Sequence, residues 1–116
     1  MALYRRAAKR DDVEASIVER LQHHGCTVTR LSGTGVPDLL VVTPRGLLRV
    51  AEVKGPKAKL TDAQECYHRE WRGPPIAILT SPEDATAWIR SLKKAEDREV
   101  HAFNRHHHAT STLEDS

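Results

Sequence analysis

The chain has 116 residues, 39% of them hydrophobic and 29% charged, which is the length and composition of one soluble globular domain. No apolar run approaches the roughly 20 residues of a membrane span, and the opening residues MALYRRAAKRDDVEAS lack the apolar core of a signal peptide. We therefore expect a cytoplasmic protein with no membrane partner. In that reducing compartment Cys26 and Cys66, which form no CxxC pair, are expected to be core thiols rather than a disulfide or a metal site.

The first half of the sequence predicts one helix and three strands. Residues 11–24 carry apolar side chains at helical spacing, and Gly25 follows as a stop signal. Residues 26–32 are rich in β-branched residues and alternate, which favours a strand. Residues 37–43 and 47–53 predict two further strands, joined by the short turn Pro44-Arg45-Gly46.

The second half predicts a helix, a strand and a last helix. Thr61 and Gln64 fit a capping box that starts a helix running to about Arg72. Residues 76–81 predict a buried strand, and Pro82 opens a helix over residues 82–97. Its apolar stripe is Ala85, Trp88, Ile89 and Leu92. The element order is α-β-β-β-α-β-α in a domain of residues 1–98, and residues 99–116 are expected to form a disordered polar tail.

Three polar residues interrupt the apolar hairpin strands. If the turn has three residues, the pairing places Asp38 directly opposite Glu52. Because side chains alternate along a strand, Lys54 shares a face with Glu52. The three polar groups are therefore predicted to converge at one end of one sheet face.

Two interpretations of this convergence remain open from the residue types alone. In the first, Lys54 neutralises Glu52 in a structural ion pair and Asp38 caps a turn. In the second, the carboxylates of Asp38 and Glu52 and the backbone carbonyl of Val53 form an oxygen-only site suited to Mg²⁺ or Mn²⁺. In that case Lys54 would neutralise charge developing on a phosphodiester under attack.

The motif string resembles a known family. GVPD at residues 35–38, EVKG at 52–55 and KLTDAQ at 59–64 resemble the VRR-NUC domain of the PD-(D/E)xK nuclease superfamily. The resemblance spans residues 11 to about 92. It implies an α/β, restriction-endonuclease-like fold with a central mixed β-sheet flanked by helices, and divalent-metal-dependent cleavage of phosphodiester bonds.

The resemblance also implies roles for particular residues. Asp38 and Glu52 would be metal ligands, Lys54 the catalytic lysine, and Glu14 on the first helix a further ligand or an orienting group. Gln64 is explained by helix capping alone, but the family carries a glutamine near the metal, so a catalytic role beside Asp38, Glu52 and Lys54 is favoured slightly.

Residues around this predicted site receive more ordinary interpretations. Tyr67 and Trp71 are expected in the core rather than as base-stacking platforms, and His68 is expected to be exposed. On charge alone, the basic clusters that include Arg10, Lys57 and Lys59 are better interpreted as ordinary solvated surface; under the nuclease hypothesis they would hold phosphates.

The leading functional hypothesis is a metal-dependent endonuclease acting on DNA, including branched structures such as four-way junctions. The alternative is a non-catalytic nucleic-acid-binding or accessory subunit that keeps the nuclease fold. Closed two-fold dimers are the commonest assembly of soluble proteins, and small relatives in the family resemble homodimers, so we expect a homodimer that uses the last helix.

Overall fold

A computed structural model describes the backbone of residues 2–115 and the side chains of residues 12–98. The elements in chain order are α1 (Ala2–His23), β1 (Thr27–Arg30), β2 (Leu39–Val42), β3 (Leu48–Val53), α2 (Asp62–Glu70), β4 (Ala77–Leu79) and α3 (Pro82–Asp115). This order confirms the α-β-β-β-α-β-α prediction.

The four strands form one mixed sheet in the order β1-β2-β3-β4. Strand β2 is antiparallel to both β1 and β3, whereas β4 is parallel to β3 after the α2 crossover. The β2–β3 hairpin has the predicted register, with Leu39 opposite Ala51 and Val42 opposite Leu48. Gly46 closes its turn with φ +86°, a conformation that glycine adopts without strain.

The sheet has helices on both faces, which confirms the predicted α/β architecture. One face carries buried aliphatic residues that pack against α1 and α3; the residues involved are Ile17, Leu21, Leu39, Val41, Ala51, Val53, Leu79, Ala85 and Ile89. Burying each of the larger side chains contributes about 1.5–3 kcal/mol. The other face presents Val50 and Glu52, and α2 lies against it through polar contacts to Glu52. The candidate site therefore lies on the face opposite the main core.

The first and last helices are longer than predicted. Helix α1 begins at Ala2 rather than near residue 11, because the preceding stretch is rich in alanine, arginine, lysine and leucine, which favour helix. Helix α3 continues to Asp115, beyond the predicted boundary at residue 98. The side chains of residues 99–116 lie outside the described residues, and the division of the chain at residue 98 stays a prediction.

The two cysteines differ in environment, and both are free thiols. Cys26 is buried as predicted; burial raises the pKa of its thiol, and the nearby Glu96 carboxylate acts in the same direction. The prediction of a core position for Cys66 is wrong, because Cys66 lies on the exposed side of α2, whose single buried residue is Gln64. Within the described part of the chain, no helix combines the length and apolar character needed to span a membrane.

Candidate active site

Asp38 lies immediately before β2, where the hairpin opens. The β2–β3 register, continued by one residue, sets Asp38 opposite Glu52. The Asp38 carboxylate Oδ2 accepts a hydrogen bond of 2.8 Å from the backbone N–H of Val53. Its backbone carbonyl accepts another of 2.8 Å from the N–H of Leu31. Asp38 is thus fixed to both neighbouring strands beside the end of β3.

Glu52 lies on the central strand β3, and its side chain is fully buried. Carboxylate oxygen Oε1 accepts a hydrogen bond of 3.0 Å from Gln64 Nε2. The second oxygen, Oε2, lies 3.3 Å from Nε2 of His68. A buried carboxylate is costly unless hydrogen-bonded, and helix α2 supplies a partner for each oxygen. The position of α2 is therefore coupled to the position of Glu52.

Gln64 caps helix α2 and also contacts Glu52, and its catalytic role stays a prediction. Its Oε1 accepts a hydrogen bond of 2.9 Å from the backbone N–H of Thr61, and its own N–H donates to Thr61 Oγ1 at 3.2 Å. These contacts complete the predicted capping box at the start of α2. Because Oε1 is engaged by the cap, the amide nitrogen Nε2 points toward Glu52. Helix capping orients Gln64 for its contact with the carboxylate.

Lys54 follows β3 and is held through its backbone. Its N–H donates a hydrogen bond of 3.1 Å to the carbonyl of Leu79, which continues the pairing with β4. The side chain is partly exposed. Among the described residues, no carboxylate forms an ion pair with the Lys54 ammonium. The described side chains of Lys54 and Glu52 therefore do not form the structural salt bridge of the first interpretation.

Gly35 brings the loop before β2 against the start of α2. Its φ is +79°, and a Cβ built on it would lie 2.6 Å from the carbonyl oxygen of Ala63. A side chain at this position would be both conformationally strained and in steric conflict with the helix backbone. Glycine in the GVPD motif thus permits the close approach that places Asp38 and Gln64 around one site.

The remaining predicted metal ligand, Glu14, is half-buried on α1 at helical spacing from Ile17 and Leu21. Among the described side chains, no group of three or more His, Cys, Asp or Glu residues is arranged to hold a metal ion. The structure places Asp38 and Glu52 together at one end of the β2–β3 hairpin, and the complete ligand set stays a prediction.

Of the predicted phosphate-binding residues, Lys57 and Lys59 are exposed in the loop between β3 and α2. A turn with a hydrogen bond of 3.0 Å from Ala58 N–H to the Gly55 carbonyl shapes this loop. The side chain of Arg10 lies outside the described residues. Both loop lysines thus lie between the two elements that build the candidate site.

His68 is a site residue that the sequence interpretation missed. It was expected to be exposed, but its side chain is only 19% exposed and contacts Glu52. The signal that could have found it is its spacing: residues four apart on a helix share one face, and Gln64 lies four positions earlier. His68 therefore belongs beside Gln64 in the contact between α2 and β3.

The core positions predicted for Tyr67 and Trp71 are also wrong. Neither residue is part of the hydrophobic cluster formed by the described side chains, and their rings stack on each other instead. The physical reason is that α2 attaches to the sheet through polar contacts rather than through an apolar stripe, which also explains why Cys66 is exposed.

Comparisons with known proteins identify the family of the chain. The family model described as the VRR-NUC domain matches residues 7–76. A solved structure described as a VRR_NUC domain is 31% identical in sequence, with a TM-score of 0.63, and the match covers 71% of this chain and 95% of that one. No curated protein matches this chain.

Proposed function

Because the chain belongs to the VRR-NUC domain family, whose fold implies a nuclease-type function, we propose that it is a divalent-metal-dependent endonuclease that hydrolyses DNA phosphodiester bonds. The observation that carries the proposal is the environment of Glu52. A fully buried carboxylate lies in register with Asp38, receives a hydrogen bond from Gln64, and precedes by two residues Lys54, which directly follows β3. Such an arrangement of charged groups beside a buried strand is typical of a functional site.

The chemistry of the donor set fits Mg²⁺ or Mn²⁺. Asp38, Glu52 and the backbone carbonyl of Val53 offer only oxygen atoms, which hard divalent cations prefer. Mg²⁺ sites commonly use one or two carboxylates together with substrate phosphate oxygens, so two carboxylates at one end of the β2–β3 hairpin suffice without a preformed three-residue cluster. Glu14 would add a further ligand or orient one. When bound, the cation supplies Lewis-acid polarisation of the phosphate group.

Each remaining residue has a distinct role in the proposal. Gln64 and His68 hold the two oxygens of Glu52, so the carboxylate keeps one orientation during turnover. The Lys54 ammonium neutralises negative charge that develops on the phosphate oxygens in the transition state. Lysine is suited to this because its charge is compact and, among the described residues, it is not committed to an ion pair.

Substrate binding is assigned to basic residues around the site. Lys57 and Lys59 in the loop after β3, together with Arg10 on α1, would contact backbone phosphates. Such contacts position the strand without reading its sequence, so we expect binding to weaken as the salt concentration rises.

We extend the proposal to a homodimer that acts on branched DNA. Leu92 packs against the core, which leaves the last helix a poorer interface than expected. Leu48 and Ile78 are the exposed large hydrophobic side chains of the described chain, at 58% and 48% exposure, but Ile78 pairs with Glu52, four residues along β3 from Leu48, so the two do not form one continuous patch. Light scattering at micromolar protein concentration tests the assembly.

The test of the proposed function is cleavage of labelled linear, flapped and four-way DNA with Mg²⁺, with Mn²⁺ and with EDTA. We expect cleavage in both metals, none in EDTA, and a preference for one of the branched forms. DNA binding without cleavage in either metal would instead favour the accessory subunit, and neither binding nor cleavage would overturn the proposal.

A further inference from the structure

Two aromatic side chains form a stacked pair at the C-terminal end of α2, outside the core. The rings of Tyr67 and Trp71 have centroids 5.8 Å apart and an interplanar angle of 22°. Both side chains are only partly buried, and neither belongs to the hydrophobic cluster of the described residues. Large aromatic side chains normally contribute to a core, so an aromatic pair placed outside it calls for another role.

The pair lines an open groove at the end of α2. The groove has a volume of about 420 Å³ and is lined by Tyr67, Glu70, Trp71, Arg72 and Gly73. This volume falls within the range of about 300–1,000 Å³ that small ligands occupy. The groove is therefore large enough to receive a planar group the size of a nucleobase.

The indole of Trp71 is held in place before any ligand binds. Its Nε1–H donates a hydrogen bond of 2.5 Å to the carbonyl of Pro74. Gly73 lies against the ring, and a Cβ at that position would collide with Cζ2 of the indole. A ring fixed by a hydrogen bond and a close backbone contact loses little conformational entropy on binding.

The groove lining has one cationic and one anionic side chain, Arg72 and Glu70, so its aromatic rings and its guanidinium, not a net positive charge, favour part of a nucleic acid as its occupant. Arg72 is exposed, and no described residue forms an ion pair or hydrogen bond with its guanidinium, whereas Glu70 is the single carboxylate among the lining residues. A guanidinium can contact a phosphate or stack on a base, and aromatic rings stack with any base. Stacked rings beside an uncommitted guanidinium are typical of surfaces that bind single strands.

We propose that this groove binds an unpaired base of the nucleic acid whose backbone passes the candidate active site, so that the substrate contains a single-stranded segment. The proposal rests on the proposed function for the identity of the polyanion. Trp71 lies about two helical turns beyond Gln64, roughly 10 Å, which is about three nucleotides of a stacked strand. A base inside a duplex has both faces covered by its neighbours, so only an unpaired base can enter.

The two tryptophans of the chain allow a direct test. Trp88→Phe leaves Trp71 as the single tryptophan, and Trp71→Phe leaves Trp88, which packs against the core, as the matched control. Each variant is titrated in EDTA with oligo(dT), with an abasic strand of equal length and with a blunt duplex. We expect oligo(dT) to quench the emission of Trp71 and not that of Trp88, and we expect little quenching by the other two.

Affinity measurements complete the test. Trp71→Ala should bind oligo(dT) about 5- to 150-fold more weakly, whereas Trp71→Phe, which keeps an aromatic face, should lose less. Arg72→Gln should reduce the salt dependence of binding by about one phosphate contact, and Lys94→Gln on α3 should not. Circular dichroism of each variant establishes that it is folded.

Four outcomes would overturn the proposal: unchanged Trp71 emission at saturating oligo(dT), equal quenching by the abasic strand, equal quenching by the duplex, or a Trp71→Ala variant that changes only the oligomeric state. Because the titration contains no metal, its result is independent of cleavage. Quenching without any nuclease activity would retain this inference and reject the proposed function. Cleavage without quenching would retain the proposed function and reject this inference.

Discussion

Gln64 donates a hydrogen bond of 3.0 Å to the carboxylate of Glu52, and both side chains are buried. The same amide accepts a bond of 2.9 Å from the N–H of Thr61 at the start of α2. One side chain therefore joins the start of a helix to the central strand of the sheet. A substitution that preserves one of these hydrogen bonds and removes the other can separate helix capping from the contact with Glu52.

Gln64→Glu is predicted to keep the helix cap and lose the contact with Glu52. A glutamate serves a capping box as well as a glutamine does, but its carboxylate would face the buried Glu52 without a donor. We expect a loss of about 1–3 kcal/mol in the free energy of unfolding, measured in urea. Thr61→Ala, which removes the cap, should cost about 1 kcal/mol. Wild-type stability in Gln64→Glu would show that the contact contributes nothing.

Gly35→Ala is predicted to be much more destabilising than Gly46→Ala. Both glycines have positive φ, +79° and +86°, so each substitution costs about 1–2 kcal/mol in backbone strain. A Cβ at Gly35 also meets the Ala63 carbonyl oxygen at 2.6 Å, whereas a Cβ at Gly46 meets nothing within 4 Å. Thermal unfolding of the two variants compares them directly. Equal melting temperatures would show that the loop before β2 does not require its close approach to α2.

Asp84 is predicted to contribute stability that is lost in acid. Hydrogen bonds from the Thr80 hydroxyl and then from the Thr80 backbone N–H lower the pKa of Asp84 below its ordinary value of 3.8. A lowered folded-state pKa stabilises the protein above the unfolded-state pKa, and this contribution disappears as the pH falls toward the folded-state value. In urea unfolding between about pH 5 and about pH 2, Asp84→Ala should lose less stability than wild type. Parallel pH profiles would contradict the assignment.

Asp38→Asn is predicted to weaken metal binding more than folding. An asparagine oxygen can still accept the bond of 2.8 Å from the Val53 N–H, but the substitution removes one of the two carboxylate charges. Asp38→Ala removes the acceptor as well and should lose about 1–3 kcal/mol of stability in addition. Calorimetric titration with Mn²⁺ measures the affinity. An unchanged affinity in Asp38→Asn would show that Asp38 fixes the loop before β2 and does not bind the metal.

The hairpin was predictable from the sequence because its information is local. A three-residue turn between two apolar strands sets the register, and the register alone sets Asp38 opposite Glu52. The capping box of α2 is equally local, since Thr61 and Gln64 are three residues apart. The hairpin register and the capping box depend on residues close together in the sequence, and both predictions are therefore correct.

The surroundings of α2 were not predictable in the same way, because they depend on tertiary packing. Tyr67 and Trp71 have the spacing of a core stripe, yet α2 attaches through Gln64 and His68 to a charged residue on the sheet. Periodicity identifies a helix face, but it does not reveal whether the facing surface is apolar or charged. The full extents of α1 and α3 were missed for a related reason, since polar sequence with high helix propensity resembles a loop.

The measurement that tests the central claim most directly is DNA cleavage by Lys54→Met compared with wild type in Mn²⁺. The variant keeps an unbranched side chain, one heavy atom shorter, and removes the ammonium; Lys94→Met on α3 is the control for losing a surface charge. Gel shifts in EDTA report binding separately. The account predicts loss of cleavage in Lys54→Met with nearly unchanged DNA binding, and wild-type activity in Lys94→Met. Cleavage by pure Lys54→Met at the wild-type rate would contradict it.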